Sequence, residues 1–273
     1  MKLITIMDNV PGAHKALRTE HGLSFYVETE SVRILFDFGA GENALYNAGK
    51  LGIHLEEINY AVGSHGHYDH GGGYRDFVEA GLTCPLVTGA GYFEEKYARD
   101  GLRVSYLGTG FGAEYLEKKG ITHVECSGVL ELAEGCWVIG NIKRSREFET
   151  VPERFVLRDG AGWKQDFFRD EICLAVEVPG GVGVILGCSH PGVLNMLDTV
   201  KEALGRPIRF VAGGTHLVKA DRDRIEKTAE EMKKMGVRQI GFNHCSGNRL
   251  RELLEEEKEL DTVYLGAGDC LFW

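Results

Sequence analysis

The 273-residue chain predicts a mixed α/β fold, and three observations carry that reading. The first third consists of short runs rich in branched and aromatic residues, LITIM, LSFYVET and VRILFDFG, a composition that suits strands. The last third alternates such runs with apolar residues at helical spacing. Four histidines, His65, His190, His216 and His244, each follow the end of an apolar, β-rich run. In open α/β sheets, strand ends are where ligands and reactive groups gather.

Taken in order, VRILFDFG ends on Asp37 and Gly39, and a helix is expected from about Glu42 with Leu45, Ala48 and Leu51 on one face. INYAVGS reads as a strand running into SHGHYDHGGG. There Tyr74, Phe77 and Val78 stand at i, i+3 and i+4, so a helix is expected to start within the glycines. Between 82 and 170 the pattern weakens. CPLVTG and CWVIGNI read as strands, and 143–170 as a long loop or excursion, which in a compact domain is usually functional. ICLAVEVPGGVGVILGCSH reads as two strands joined by Pro-Gly-Gly. Pro191 opens a helix with Val193, Leu197, Val200 and Leu204 in phase. Strand IRFVAGG, a helix with Ile225, Ala229 and Met232, strand RQIGFNH, a helix with Leu250, Leu253 and Leu254, and strand TVYLGAG complete the chain. With no repeat, low-complexity tract or linker, the expectation is one domain over residues 1–273.

Composition narrows the function. Hydrophobic residues make up 43% and charged residues 26%, and the formal net charge is −10. Such an acidic chain is a poor general binder of nucleic acid or anionic membrane, although a local basic pocket for a small anion fits within it. No apolar run approaches a membrane span or a signal peptide, so the expected compartment is the cytoplasm. The seven cysteines are scattered and contain no C-x-x-C pair, which argues against a disulfide framework or a cysteine zinc knuckle. The expected partner is a small-molecule substrate, with an oligomer left open.

The chemistry lies in HGHYDH. In an extended segment, residues i and i+2 face the same way, so His65 and His67 can hold one metal. If the chain then turns into a helix, Asp69 and His70 point elsewhere and can hold a second. Imidazole and carboxylate suit zinc, iron or manganese, and one or two divalent ions, zinc first, are expected. The glycines at 71–73 are read as room for a tight turn and for a substrate. His190 and His244 join the candidate ligands by position. His216 is left between ligand, substrate contact and structural residue. By position, Cys188 and Cys245 are read as packing, and His14, His54 and His123 as ordinary surface or core residues.

HGHYDH matches the HxHxDH signature of the metallo-β-lactamase superfamily. EHGLSF, VRILFDFG, SHGHYDHGGG, LGCSHPG, GGTHL and NHCSG together resemble one branch more narrowly. That branch holds metal-dependent hydrolases and relatives of the dihydropterin/ribofuranosylaminobenzene phosphate synthases of methanopterin formation. The resemblance implies an αββα sandwich of mixed sheets with outer helices and two metals along one edge. It places His65, His67 and His190 at the first metal, Asp69, His70 and His244 at the second, and Asp37 as an aspartate that orients the cluster through hydrogen bonds. The superfamily's bridging aspartate has no counterpart, because VILGCSH offers Cys188, Ser189 and His190 in its place. Cys188 thereby becomes a candidate soft ligand.

The chemistry expected from this resemblance is attack of metal-activated hydroxide on a small ester, thioester, lactone or phosphoester, with Asp69 both binding metal and orienting the nucleophile. A second reading is a synthase that condenses a dihydropterin pyrophosphate with a ribofuranosylaminobenzene phosphate-like partner. Lys143, Arg144 and Arg146 are then its anion-binding candidates, against their reading as ordinary charges on a solvated loop. A third is a metal-binding protein without catalysis.

Overall fold

The computed structural model describes residues 1–256 and 260–273, and within the helix ending at Glu256 the side chain of Leu254 lies outside the described residues. Two seven-stranded sheets face each other. The first runs Cys270–Phe272, Lys2–Met7, Ser24–Glu28, Arg33–Phe36, Tyr60–Gly63, Leu86–Gly89 and His123–Cys126. The second runs Asp261–Tyr264, Gln239–Phe242, Ile208–Gly213, Gly181–Leu186, Cys173–Val178, Cys136–Ile139 and Val129–Ala133. Each is antiparallel in one half and parallel in the other. The parallel half of the first sheet begins at Arg33–Phe36, and that of the second at Gly181–Leu186.

Both faces of each sheet are buried, and the strands show it residue by residue. In Arg33–Phe36, Ile34 and Phe36 enter the core between the sheets while Leu35 packs beneath outer helices. In Gly181–Leu186, Ile185 faces inward while Val184 and Leu186 face the helix Val193–Leu204. This period-2 split needs apolar residues at successive positions, as in VRILF and VGVIL. Helices Glu42–Lys50, Tyr74–Glu79 and Ala113–Lys119 cover one outer face; Val193–Leu204, Arg222–Lys234 and Asn248–Glu256 cover the other. The result is the expected αββα sandwich.

Val193–Leu204 shows how local chemistry sets a boundary. It buries Val193, Leu194, Met196, Leu197 and Val200, each worth roughly 1.5–3 kcal/mol of transfer free energy. Its open N-terminal amides are met by a distant residue. Glu149 accepts from the N–H of Leu194 at 3.0 Å and of Asn195 at 2.7 Å, which places a carboxylate at the positive end of the helix dipole. Gly205, in the left-handed region at φ 61°, ends it.

Three features differ from the sequence expectation. The 143–170 excursion carries strands Phe155–Asp159 and Gly162–Gln165, which join Lys96–Asp100 and Arg103–Tyr106 in a third, four-stranded antiparallel sheet. KYARD, RVSY and GWKQ hold no apolar run longer than two residues, and that of FVLRD stops after three. The helix expected within the glycines instead starts earlier, as Tyr68–Gly71, and restarts at Tyr74–Glu79. Gly72 and Gly73 have ordinary negative φ, so a tight turn does not require them. A Cβ on Gly73 would lie 2.2 Å from the carbonyl oxygen of Phe38, and one on Gly72 2.6 Å from that of Ala40. Close backbone packing against 38–40 explains both. The C-terminal strand Cys270–Phe272, absent from the sequence reading, closes the first sheet against Lys2–Met7. Among the described residues, no helix is long and apolar enough to cross a membrane.

Candidate metal centre

The parallel strands of both sheets end in register along one edge. Asp37 leaves the end of Arg33–Phe36 and Ser64-His65 the end of Tyr60–Gly63. Cys188 and His190 follow Gly181–Leu186, His216 follows Ile208–Gly213, and His244 follows Gln239–Phe242. The edge is strained: Asp37, Ser189, His216 and His244 all have positive φ, between 49° and 63°. Non-glycine residues held there cost on the order of 1–3 kcal/mol each, and such strain clusters at functional sites.

His65, His67 and His190 converge, their ligand nitrogens all within 4.8 Å of one another. They are 0%, 5% and 4% exposed. The Nε2 atoms of His65 and His67 and both ring nitrogens of His190 are buried with no hydrogen-bond partner. A buried imidazole nitrogen left unpaired costs about 1–3 kcal/mol, and four at one point is far from the usual pattern of satisfied interior groups. The hydrogen bonds fix their orientation. The hydroxyl of Ser64 donates to Asp37 Oδ2 at 2.8 Å, so the 3.0 Å contact from Ser64 Oγ to His65 Nδ1 makes Nδ1 the protonated nitrogen. The lone pair of Nε2 is then left pointing inward, the tautomer a metal ligand needs. Burial first, then neighbouring charges, holds the pKa of all three far below the usual histidine value, so they stay neutral.

A second group lies alongside. Asp69 Oδ2 is 3.4 Å from His244 Nε2 and 3.8 Å from His70 Nε2, and the two imidazole nitrogens are 3.2 Å apart. His244 is aimed from behind: Asn9 Oδ1 lies 2.9 Å from Nδ1, and Asp8 Oδ1 accepts its backbone N–H at 2.8 Å. Burial raises the Asp8 carboxyl to about 6 against the hydrogen bonds it accepts from Val10, Tyr264 and His244. His70 Nδ1 meets Asp37 Oδ2 at 2.6 Å with both side chains fully buried. Burial disfavours the His70 charge, but Asp37 and then Asp69 outweigh it and push the pKa up to about 9. Burial likewise opposes ionisation of Asp69, yet His70, His21 and His244 together hold it well below the usual carboxylate range.

Cys188 stands between the two groups. Its Sγ lies 3.1 Å from His70 Nε2, and it can join His65 and His70 on one side or His244 and Cys245 on the other. Burial, then Cys245, keeps the thiol far above its ordinary pKa. Ser189 turns away, its hydroxyl donating to the carbonyl of Gly214. His216 joins none of these metal-holding groups. Its half-buried ring lies 4.2 Å from that of His190, and burial followed by His244 lowers its pKa to about 4. Of the basic candidates, Arg146 is taken up by Asp198 and Glu231, and Lys143 pairs with Glu202 at the surface. Arg144 lines a cavity.

Sequence reasoning missed several participants. His21 Nε2 lies 3.2 Å from Asp69 Oδ2, completing a group with His244. Glu171 accepts the backbone N–H groups of Ser189 and His190. Asp170 accepts the N–H of Gly66 at 2.7 Å, between the first two histidines, and is itself paired with the buried Lys96. Phe168 stacks on His190. The neutral, inward-facing imidazoles of His65, His67 and His190 form a donor set that fits a divalent cation, and ionised Asp69 with His244 offers a second, which His70 joins on losing its proton.

Comparisons with known proteins identify relatives of the chain. Residues 17–155 match the metallo-β-lactamase superfamily. A Methanocaldococcus jannaschii protein named 7,8-dihydropterin-6-methyl-4-(β-D-ribofuranosyl)-aminobenzene-5′-phosphate synthase is 31% identical over 99% of this chain and 96% of its own. The protein MJ0448 of the same organism is 29% identical over 89% of each chain. The solved structure of Tm1679, described as a metal-dependent hydrolase of the β-lactamase superfamily, covers 100% of this chain and 99% of its own at 27% identity, with a TM-score of 0.85. The chain belongs to the metallo-β-lactamase superfamily, in the branch related to the dihydropterin/ribofuranosylaminobenzene phosphate synthases.

Proposed function

We propose that the protein is a metal-dependent hydrolase of a small ester, thioester, lactone or phosphoester. His65, His67 and His190 hold one divalent cation, and Asp69, His70 and His244 hold a second, with Cys188 in the place between them. The observation that carries this reading is the set of buried, unpartnered imidazole nitrogens on His65, His67 and His190. Zinc suits three neutral imidazoles best, and iron or manganese are the alternatives that metal analysis separates. When bound, such cations lower the pKa of water towards neutrality and offset the negative charge that develops on a substrate oxygen.

The chain's own residues do the rest. Asp69 is ionised, 6% exposed and at the open side of the cluster beside His21, so it accepts a hydrogen bond from an attacking water and orients it. Asp37, Ser64 and Asn9 fix imidazole tautomers through hydrogen bonds. His216, neutral and half-buried beside His190, is placed to donate to a substrate oxygen. The test is metal analysis of protein purified without chelators, followed by an ester, thioester, lactone and phosphoester panel. Turnover of one class, lost together with metal in His67→Ala, is the expected result. Metal-loaded protein inert on the whole panel overturns the reading.

A second reading has its own support in the 31% identity to the named synthase across nearly the whole chain. On that reading the same cations bind a pyrophosphate leaving group while a dihydropterin couples to an aminobenzene partner. A coupled pterin product without ester hydrolysis selects it.

A further inference from the structure

His21 stands on the open side of the second ligand group. Its side chain is 58% exposed, whereas Asp69, His70 and His244 are buried. Its Nε2 lies 3.2 Å from Asp69 Oδ2, and the same oxygen is 3.4 Å from His244 Nε2. The ligand atoms of His21, Asp69 and His244 all fall within 4.8 Å of one another. Metal–ligand bonds of about 2.0–2.1 Å place neighbouring donors of a tetrahedral cation about 3.3–3.4 Å apart, and both contacts of Asp69 Oδ2 match that spacing. The chain builds this placement. The Leu23 N–H donates to the carbonyl of Asp69 at 3.0 Å, and a Cβ on Gly22 would lie 2.8 Å from the same oxygen, so glycine lets His21 come down onto the HGHYDH segment. Asn9 Oδ1 accepts the Gly22 N–H at 3.2 Å and lies 2.9 Å from His244 Nδ1. One side chain thus fixes both the segment that carries His21 and the tautomer of His244. A neutral His244 donates to Asn9 through Nδ1, so its Nε2 turns a bare lone pair towards the Asp69 carboxylate. A hydrogen bond does not join two lone pairs; a cation between them does.

We propose that His21, from outside the HGHYDH motif, is a ligand of the second cation and closes that site on its solvent side. The assignment rests on the two-cation reading above. With His21 the second group offers four donors, three imidazoles and one carboxylate, the number of a closed site. The group of His65, His67 and His190 offers three, the number of a site that keeps one position open. The position left for substrate or water is then on the three-histidine side. Asp69 meets His21, His70 and His244 through Oδ2 in each case, which leaves Oδ1 to orient an attacking water. Nitrogen and carboxylate donors in these numbers suit zinc, iron or manganese alike.

The probe is an NMR-active isotope of cadmium, titrated into the full-length protein with isotopically labelled histidine nitrogens. Cadmium accepts the same donors as zinc, and a one-bond coupling between the two nuclei reports a direct metal–nitrogen bond. The His21 signal is identified by its loss in His21→Gln. At saturation the Nε2 resonance of His21 should be split by cadmium, as should that of His244. Metal analysis should find His21→Ala and His21→Gln each keeping the ion of the three-histidine group. The other ion should be lost or weakened by more than the roughly 10–100-fold that a residue orienting a ligand costs. His21 is largely exposed, so both variants should fold. Glutamine keeps an N–H that reaches towards Asp69, so a role limited to hydrogen bonding would leave the second ion in His21→Gln. That result, or a split His244 signal beside an unsplit His21 signal, overturns the proposal and leaves the two-cation reading standing. A wild type that binds fewer than two ions overturns both.

Discussion

The imidazole of His190 lies flat against the ring of Phe168, with 3.8 Å between centroids and 7° between planes. Neither nitrogen of His190 has a hydrogen-bond partner, so ring packing, not a hydrogen bond, sets its orientation. The edge of Phe155, 5.2 Å away at 76°, and the ring of His216 complete the slot. Phe168 holds this place with φ at 49°, a conformation kept only because its surroundings fix it. Phe168→Ala should therefore act twice. The metal-free protein should lose about 3–5 kcal/mol, as for other buried phenylalanines. Zinc affinity at the three-histidine set should fall as well. Denaturant titrations and competitive zinc titrations read the two effects. Undiminished zinc affinity in the variant would mean that the stack does not orient His190.

The two ligand groups should come apart on mutation. His67→Ala removes a member of the His65–His67–His190 group, whereas His244→Ala leaves that group whole and breaks the one around Asp69. Mass-spectrometric metal analysis should find His67→Ala losing the more tightly held ion and His244→Ala retaining about one ion per chain. Equal and complete loss in both would show one cooperative centre instead of two.

The sequence made legible whatever was local. HGHYDH is contiguous, and His190, His216 and His244 stand directly after apolar strands, so the candidate ligands and the strand ends that carry them could be read together. The residues that aim those ligands were not legible, because their partners are remote in the chain. Glu171 meets His190 across 19 positions and Asp8 meets His244 across 236. Periodicity registers a residue's own face, not the backbone amide a fold later brings to it. His21 follows no strand and reaches Asp69 only because the backbone of Leu23 bonds to the carbonyl of Asp69. The third sheet escaped for a different reason. Its strands offer apolar runs of three residues at most, set among charged and polar ones, which a hydrophobic pattern detects poorly.

Lys96 tests what that third sheet contributes. Its ammonium is 1% exposed, 2.9 Å from Asp170 and 3.0 Å from Asp166. Burial disfavours its charge, but Asp170 and then Asp166 outweigh it and push the pKa up to about 12. Lys96→Met should leave two buried carboxylates without their cation, a loss of about 3–5 kcal/mol. Asp170 also accepts the Gly66 N–H, so the His65–His67 turn should loosen too. Cobalt substituted at the site should show an altered visible spectrum in the variant. An unchanged spectrum in the folded variant would confine Lys96 to stability alone.

Glu171 sets a pH dependence whose direction is fixed. It is fully buried, and burial pushes its pKa up to about 8, against the opposing hydrogen bonds from His190 and Ser189. A carboxyl whose folded-state pKa lies above its unfolded value of 4.5 holds its proton longer when folded. Its contribution is therefore fully present below about pH 4.5 and is lost as pH rises through about 8. The buried neutral histidines act in the opposite sense, since their lowered pKa values destabilise the fold as pH falls below about 6.5. The wild type alone therefore mixes the two trends, and a difference measurement isolates Glu171. For metal-free protein, the stability of wild type minus that of Glu171→Gln should fall between pH 4.5 and 8 by a few kcal/mol. Bound cations favour the ionised carboxylate nearby, so the fall should shrink when metal is restored. Urea titrations at a series of pH values, with and without zinc, give both curves. A difference that stays flat across that window would place the Glu171 pKa near its ordinary value and remove any electrostatic link between this residue and the metal.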